Sequence, residues 1–339
     1  MNEVLVMNEK ERLLKVLRNE EVDRPPVICP GGMMNAAVTD ILLNIDKNHN
    51  CDCDSMVKAA KLVNEEIGFE NYGVPFCMTV EAEPLGIELS FGDKTVEPRV
   101  TKYNENELEE IIKSYNIKPL MDKRMPVVIE AIKKLKNDNV PVIGNITGPI
   151  STATSIVDPL KLIKMFRREP ELAYKFIEYV NEYSIDYAKE MIKAGADVIA
   201  ISDPTATGEI LGKKNFEKFA YPMYRKFLDE MHKVNTPVII HICGDSKNII
   251  ESLDDLNIDA VSFDSRVNMR DARLKIKNNL MGNVSTQLLH QGDKERIIRV
   301  TENCIASDVN IVSPACGLSM ATPKENLKIM TSYVKGRSN

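Results

Sequence analysis

The stretch Thr236-Pro-Val-Ile-Ile-His-Ile-Cys-Gly-Asp245 places a histidine and a cysteine at the end of a short apolar run. Pro237 and Gly244 bound this run, and its Val and Ile residues favour a buried β-strand over a helix. Side chains two residues apart in a strand project to the same face, so His241 and Cys243 can approach one ion. The stretch therefore predicts half of a metal site at the carboxyl end of a buried strand.

A second stretch, Val309-Asn-Ile-Val-Ser-Pro-Ala-Cys-Gly317, also ends an apolar run with a cysteine followed by glycine, and Cys316 is the expected third ligand. Zinc binds imidazole nitrogen and thiolate sulfur tetrahedrally, and a catalytic site with three protein ligands keeps its fourth position open. A structural zinc site usually uses closely spaced ligand pairs, whereas Cys316 lies 73 residues after Cys243. The alternative is a strand-end histidine with a backbone partner, beside two thiols packed as small hydrophobic groups.

Length and charge limit the possible classes of protein. A chain of 339 residues could hold two domains, but barrels of alternating strands and helices often have this length, and we expect one domain over residues 1–339. The net charge of -6 comes without a basic stripe, so we expect no nucleic-acid partner. No apolar stretch is long enough to span a bilayer, and the amino terminus lacks a signal sequence, which predicts a cytoplasmic protein without a membrane partner. Seven cysteines, an odd number in a large chain, indicate free thiols rather than a disulfide framework.

Strand-like and helical segments alternate along the chain. An amino-terminal helix is expected from Asn8 to about Asn19, and an inserted hairpin from Gly86–Gly92 and Thr95–Val100. Strands are expected to begin near residues 25, 73, 140, 197, 237, 260, 279 and 309, each followed by a helix. Alternation of this kind implies parallel pairing, and eight units close into a barrel. The predicted fold class is α/β: a single (β/α)8 TIM barrel with an N-terminal helical extension and a small inserted β-hairpin.

Polar side chains fall at or just after the ends of most of these predicted strands. They are Cys29, Asn145, Asp203, His241, Cys243, Asp264, Asn283 and Cys316. In a barrel they converge on one mouth, which weakens the alternative of an isolated core histidine. Asp203 and Asp264 are candidates to orient His241 through its other ring nitrogen or to take the open zinc position, although each is nearly as well explained as a helix N-cap. Asn145 and Asn283 are candidates to line a substrate pocket.

Glu81 is a weaker candidate for substrate binding. It shares one face of a predicted strand with Glu83, and this face is either solvated or the wall of a pocket. The solvated face is the favoured interpretation.

Four segments together resemble a known family. They are Glu21-Val-Asp-Arg-Pro-Pro-Val-Ile-Cys-Pro-Gly-Gly-Met-Met-Asn35, Gly68-Phe-Glu-Asn-Tyr-Gly-Val-Pro-Phe-Cys-Met-Thr-Val-Glu-Ala-Glu83, His241-Ile-Cys-Gly244 and Ala315-Cys-Gly-Leu318. Over nearly its whole length the chain resembles the uroporphyrinogen decarboxylase superfamily, and within it the corrinoid-linked methylcobamide:coenzyme M methyltransferases. The resemblance implies a barrel with a catalytic zinc held by His241, Cys243 and Cys316. It further implies an acceptor thiol, such as coenzyme M, at the fourth zinc position. The implied methyl donor is a methylated corrinoid, not permanently bound and usually carried by a small corrinoid protein.

The sequence also departs from the wider family. Decarboxylases carry a Gln-Ala-Gly-Arg type segment after the double proline, and its arginine helps to hold a tetrapyrrole with many carboxylates. This chain has Gly31-Gly-Met-Met-Asn35 there, without a cation, which disfavours decarboxylation. Two alternatives stay open: a metal-free tetrapyrrole decarboxylase that uses Asp203 or another carboxylate, and a corrinoid-binding sensor without turnover. No Asp-x-His cobalt-ligand motif surrounds the four histidines, so a corrinoid would come with a partner or bind without a cobalt ligand from this chain.

Overall fold

The structure is a computed structural model that describes residues 7–114 and 122–336. The first six residues, in which no targeting signal is predicted, lie outside the described residues. The helices are α1 (Glu9–Leu17), α2 (Thr39–Leu42), α3 (Cys53–Leu62), α4 (Leu108–Ser114), α5 (Met125–Leu135), α6 (Pro149–Ile156), α7 (Pro159–Arg168), α8 (Pro170–Ala194), α9 (Gly212–Asn215), α10 (Tyr221–His232), α11 (Ile250–Asp254), α12 (Met269–Arg273), α13 (Thr286–Gln291), α14 (Lys294–Ile305) and α15 (Lys324–Val334). The strands are β1 (Tyr72–Val74), β2 (Glu88–Ser90), β3 (Arg99–Lys102), β4 (Val142–Thr147), β5 (Val198–Ser202), β6 (Val238–Ile242), β7 (Ala260–Phe263), β8 (Asn279–Val284) and β9 (Ile311–Pro314).

The fold is α/β and is built around a parallel sheet. Within the described residues this sheet has seven strands in the order β1-β4-β5-β6-β7-β8-β9, so neighbours in the sheet follow one another along the chain. Helical segments connect the strands, and β4 to β9 are buried along their whole length. The continuous Val and Ile runs that predicted these strands are typical of a sheet covered on both faces. All seven strands begin within two residues of a predicted start.

The segment predicted as the first strand, near residue 25, forms an isolated bridge instead. Val27 bridges to Val312 of β9 in parallel, with hydrogen bonds of 3.0 Å from Ile28 N to Val312 O and 2.9 Å from Val312 N to Pro26 O. The prediction of a regular strand here was wrong. Pro25 and Pro26 have no backbone N–H to donate, so regular pairing cannot start before Val27.

The other side of this segment meets the start of β1. Glu70 N donates to Val27 O at 2.8 Å, and the side chain of Asn71 bonds both the backbone N and O of Cys29 at 2.9 Å. The segment therefore has hydrogen-bonding partners on both sides: β9 on one side, and Glu70 and Asn71 on the other.

Two smaller features complete the fold. The Asn8 side chain accepts a hydrogen bond of 2.8 Å from Glu11 N, so α1 begins where the capping residue predicts. Strands β2 and β3 form a separate two-stranded antiparallel sheet, joined by a loop over residues 91–98. Among the described helices, none has the combination of length and apolar character needed to cross a bilayer.

Candidate metal centre

Three predicted ligands come together at the carboxyl end of the sheet. His241 lies in β6, Cys243 follows β6 by one residue, and Cys316 follows β9 by two. One ligand atom from each lies within 4.8 Å of the other two. Strands β7 and β8 separate β6 from β9 in the sheet order, so the sheet must curl to bring these ends together. The residues are thus close enough to share one ion.

His241 has one ring nitrogen occupied and one free. Its Nδ1 lies 3.0 Å from Ser262 Oγ, because the register of β6 and β7 places these two residues opposite each other. Its Nε2 is buried and has no hydrogen-bond partner in the described part of the chain. A buried imidazole nitrogen without a partner is unfavourable unless a ligand satisfies it.

The two thiols are in direct contact. Cys243 Sγ and Cys316 Sγ are 3.0 Å apart, well beyond the bond length of a disulfide, and both side chains are partly buried. The hydrogen bond between them raises the pKa of Cys243 well above its usual value and lowers the pKa of Cys316. Of the two thiols, Cys316 is therefore the more acidic. Binding of a metal ion deprotonates coordinating thiols.

Asp264 stands at the edge of this cluster. Its Oδ2 lies 3.5 Å from Cys243 Sγ and 3.3 Å from Gly244 N, and its Oδ1 accepts from Arg266 N at 3.0 Å. Burial raises the pKa of Asp264, but these hydrogen bonds outweigh it and hold the pKa below the usual range. Asp264 is thus a carboxylate beside a candidate ligand. It does not orient His241 as predicted, because Ser262 occupies that ring nitrogen.

Asp203 has a different role from the predicted one. Its carboxylate accepts four hydrogen bonds, from Ile150 N at 3.1 Å, Ser151 N at 2.8 Å, Ser151 Oγ at 2.6 Å and Tyr224 Oη at 2.9 Å. Burial raises the pKa of Asp203, and the hydrogen bonds from these donors only partly oppose that shift. Only its backbone N contacts His241, donating to the carbonyl oxygen at 3.1 Å. Asp203 therefore caps the start of α6, and the prediction that it orients the His241 ring was wrong.

The two asparagines predicted to line a pocket both hold loops in place, and Asn283 also lines a cavity together with Val267 and Cys304. Asn145 Nδ2 donates to Pro30 O, while its Oδ1 is buried and has no partner among residues 7–114 and 122–336. Asn283 Nδ2 donates to Asp264 O at 3.0 Å and to Val267 O at 2.8 Å. Asn283 thus supports the loop that carries Asp264, and Asn145 retains one free acceptor at the carboxyl end of β4.

Glu81 is buried, so the prediction of a solvated strand face was wrong. It lies in a turn, where its Oε1 accepts from Thr147 N at 2.8 Å and its Oε2 accepts from Thr147 Oγ1 at 2.9 Å. Burial raises the pKa of Glu81, and the bonds from Thr147 oppose that shift. The carboxylate anchors the loop after β1 to the end of β4.

Two residues missed by the sequence analysis support the candidate metal centre. Ser262, which is fully buried, contacts His241, and Met34 Sδ lies 3.9 Å from Ser262 Oγ. A turn in which Gly31 N donates to Met34 O at 3.0 Å positions this methionine. Gly31 has a φ of +103°, and a Cβ there would lie 2.6 Å from Asn145 Nδ2, so glycine is required. The signal for Ser262 was its place two residues before Asp264 on the neighbouring strand.

Comparison with known proteins identifies the family. A family model described as uroporphyrinogen decarboxylase (URO-D) matches residues 8–337. The chain belongs to the uroporphyrinogen decarboxylase family. Within this family it is 31% identical over 333 residues to "Methylcobamide:CoM methyltransferase MtbA" of Methanosarcina acetivorans, covering 96% of this chain and 97% of the relative. It is 29% identical to "Methylcobamide:CoM methyltransferase MtaA" of Methanosarcina barkeri, covering 95% of this chain and 96% of the relative.

A solved structure has the same fold. A methyltransferase from Methanosarcina mazei superposes with a TM-score of 0.88 at 28% identity, covering 97% of this chain and 99% of the other. These likenesses confirm the resemblance to the corrinoid-linked branch of the uroporphyrinogen decarboxylase family.

The residues present fit a zinc ion. One imidazole and two thiolates are ligands that zinc prefers, and three protein ligands are the usual number in a catalytic zinc site. The nitrogen of His241 that lacks a partner and the contact of 3.0 Å between the thiols are both features that a bound cation would relieve. Gly244 also matters, because its φ of +71° lies in the left-handed region that favours glycine, and this lets the chain turn directly after Cys243.

Proposed function

We propose that this protein is a zinc-dependent methyltransferase, which moves a methyl group from a methylated corrinoid to a thiol such as coenzyme M. The observation that carries the proposal is the convergence of His241, Cys243 and Cys316 with one unpartnered imidazole nitrogen. Similarity to relatives named methylcobamide:CoM methyltransferases supports this choice of reaction.

The side chains at the candidate metal centre have distinct roles in the proposed reaction. When bound, zinc would supply Lewis acidity that keeps the acceptor thiol deprotonated at neutral pH. Cys243 and Cys316 offset the charge of the cation as thiolates, which leaves more electron density on an acceptor sulfur than three neutral imidazoles would. Asp264, which its hydrogen bonds keep ionised, is the candidate for the fourth position when no thiol is present.

In the methyl transfer, a carbon–sulfur bond forms between the methyl group and the acceptor thiolate. The cobalt–carbon bond breaks at the same time, its electron pair stays on cobalt, and the proton of the acceptor thiol goes to solvent. We propose that a separate corrinoid protein presents the donor, because the sequence contains no Asp-x-His motif to ligate cobalt.

We further propose that the sheet is part of a closed (β/α)8 barrel, with an N-terminal helical extension and an inserted hairpin formed by β2 and β3. Residues 26–29 take the eighth position. Their hydrogen bonds to β9 on one side and to Glu70 and Asn71 on the other support this arrangement. Under this proposal residues 1–339 are one domain. The cytoplasmic location stays a prediction from composition.

Tetrapyrrole decarboxylation is the less favoured candidate. Asp203, the carboxylate that such a reaction would use, already accepts four hydrogen bonds and is fully buried. The loop over residues 31–35 contains no cation to hold a polycarboxylate.

The proposed function is tested by zinc analysis of the purified protein and by the absorption spectrum of methylcobalamin. We expect about one zinc per chain for a site of this kind and demethylation with coenzyme M, homocysteine and a folate tested as acceptors. His241→Ala should lose zinc and activity together, while Ser184→Ala, a buried serine in α8, serves as the control. Absence of zinc together with an unchanged spectrum would contradict the proposal, and release of CO2 from uroporphyrinogen would favour the decarboxylase.

A further inference from the structure

We propose that Ser262 is a positioning residue, which together with Met34 fixes the His241 ring in the tautomer that presents Nε2 to the metal. The inference rests on the proposed function, because it concerns the same ion. It assigns a task to two residues outside the ligand set.

The hydrogen-bonding capacity of the three groups determines the direction of each bond. Ser262 Oγ lies 3.0 Å from His241 Nδ1 and 3.9 Å from Met34 Sδ. A thioether sulfur has no proton and can only accept, whereas a serine hydroxyl has one proton to donate. If the hydroxyl donates to Met34, its lone pairs face His241 and accept the proton of Nδ1–H. The lone pair of the imidazole then resides on Nε2, where a metal can bind.

The opposite orientation is less favourable. If Ser262 donated to Nδ1, the ring proton would be on Nε2. That orientation would take the only proton of the Ser262 hydroxyl away from Met34 Sδ, and it would point the ring proton at the sulfurs of the candidate ligands. It would also prevent coordination through Nε2. The packing therefore selects the tautomer before any ion arrives.

The residues that make this selection are held firmly. Ser262 is fully buried within β7 and is the register partner of His241 in β6. Met34 is 1% exposed and lies in the turn closed by Gly31.

A hydroxyl in this place differs from the carboxylate that often supports a metal-bound histidine. The two nearest candidate carboxylates have other partners: Asp203 caps α6, and Asp264 contacts Gly244 N and Cys243 Sγ. A neutral partner orients the ring without adding negative charge to a site that already contains two thiols.

The test is the zinc affinity of the apoprotein, measured by competition with a chromophoric chelator. Ser262→Ala should bind zinc about 10- to 100-fold more weakly, the range found when a partner of a metal-bound histidine is removed. Ser262→Thr keeps the hydroxyl and should restore most of the affinity. Met34→Leu keeps the volume but removes the acceptor, and should weaken binding less than Ser262→Ala. Ser184→Ala is the matched control, since its buried hydroxyl bonds only a backbone carbonyl in α8.

Absorption of the cobalt-substituted protein gives a second measurement that a purely structural role would not change. We expect the ligand-field bands to shift in Ser262→Ala and to return in Ser262→Thr. Wild-type zinc affinity and an unchanged cobalt spectrum in a folded Ser262→Ala would overturn the proposal. If Ser262→Ala does not fold, the zinc affinity of Met34→Leu is the test. An unchanged zinc affinity in Met34→Leu overturns the proposed bonds from Met34 through Ser262 to His241. A wild-type protein that binds zinc yet demethylates no methylcobalamin contradicts the proposed function alone.

Discussion

Two buried polar clusters lie at opposite ends of the parallel sheet. At the amino end, just before β1, the Glu70 carboxylate bonds Arg12 Nη1 at 3.0 Å, Arg24 Nη2 at 2.6 Å and Val27 N at 2.9 Å. Arg12 also bonds Asp23 at 2.7 Å. At the carboxyl end, His241, Cys243 and Cys316 meet with an imidazole nitrogen unpartnered and two thiols in contact.

The two clusters differ in whether the chain itself supplies partners for their buried polar groups. The amino-end cluster pairs its buried charges within the chain, so it joins α1 and residues 23–27 to the start of β1. At the carboxyl-end cluster, His241 Nε2 has no hydrogen-bond partner among the described residues, and the two thiols are in contact at 3.0 Å. A buried polar group that the chain satisfies is part of the scaffold, whereas a cluster of metal-binding residue types with an unsatisfied atom is a candidate ligand site.

The largest expected effect separates activity from stability. Cys243→Ser should reduce methyl transfer below detection and greatly weaken zinc binding, because a hydroxyl is a poor substitute for a thiolate. The free energy of unfolding of the apoprotein should change by less than about 1 kcal/mol, as expected for a site that contributes no completed hydrogen-bond network. Cys53→Ser is the control, since that thiol is also partly buried but lies in α3. Strong destabilisation of the apoprotein would show that the carboxyl-end cluster is structural.

Glu70→Gln should give the converse result. It leaves Arg12 and Arg24 without their shared carboxylate, and breaking a buried ion pair costs about 3 to 5 kcal/mol. Urea unfolding followed by circular dichroism measures this loss, and the zinc affinity of the folded fraction should be unchanged. The exposed pair Glu130–Lys133 provides a control, because Glu130→Gln should cost at most about 1 kcal/mol. A weaker zinc affinity in Glu70→Gln would mean that the two ends are coupled.

The dependence of the free energy of unfolding on pH tests whether acid destabilises the protein through one of the two clusters or through another buried group. Burial lowers the pKa of His49, between α2 and α3, to about 4. In the unfolded chain His49 becomes protonated near pH 6.5, whereas in the folded protein the buried ring stays neutral down to about pH 4. The free energy of unfolding is therefore unaffected by this group above pH 6.5. It falls by up to about 3 kcal/mol as the pH drops from 6.5 towards 4. His49→Gln should therefore show a flatter profile of unfolding free energy between pH 6.5 and 4. Identical profiles for both proteins would place the acid-sensitive group elsewhere.

The smallest expected effects come from Asp203 and Asp264, two aspartates at the same end of the sheet. Asp203→Asn removes a buried acceptor of four hydrogen bonds and should lower the free energy of unfolding by about 2 kcal/mol. Asp264→Asn should leave stability nearly unchanged and weaken zinc binding by about tenfold, as for other groups next to metal ligands. Chelator competition and urea unfolding on both variants measure the contrast. Exchanged results would assign the structural role to Asp264.

Local patterns predicted that the three candidate ligands lie together, because side chains two residues apart in a strand share a face. His241 and Cys243 must face the same way in any strand, and a cysteine after another buried strand must lie at the same edge of a parallel sheet. The same argument failed for Asp203 and Glu81. Their partners, on α6 and at the end of β4, are more than fifty residues away in the chain, and no local pattern records whether a carboxylate is already satisfied.

The amino-acid sequence was enough to establish the α/β class, seven strand positions, the family and the identity of the candidate ligands, because periodicity and residue type are local properties. Only the tertiary structure decided that Val27 forms an isolated bridge to Val312 and that Ser262 contacts His241. It also decided that Asp203 serves the scaffold. Each of these features depends on the register between strands and on which donors lie within hydrogen-bonding distance of a given acceptor. Register and donor positions are set when segments distant in the sequence pack together.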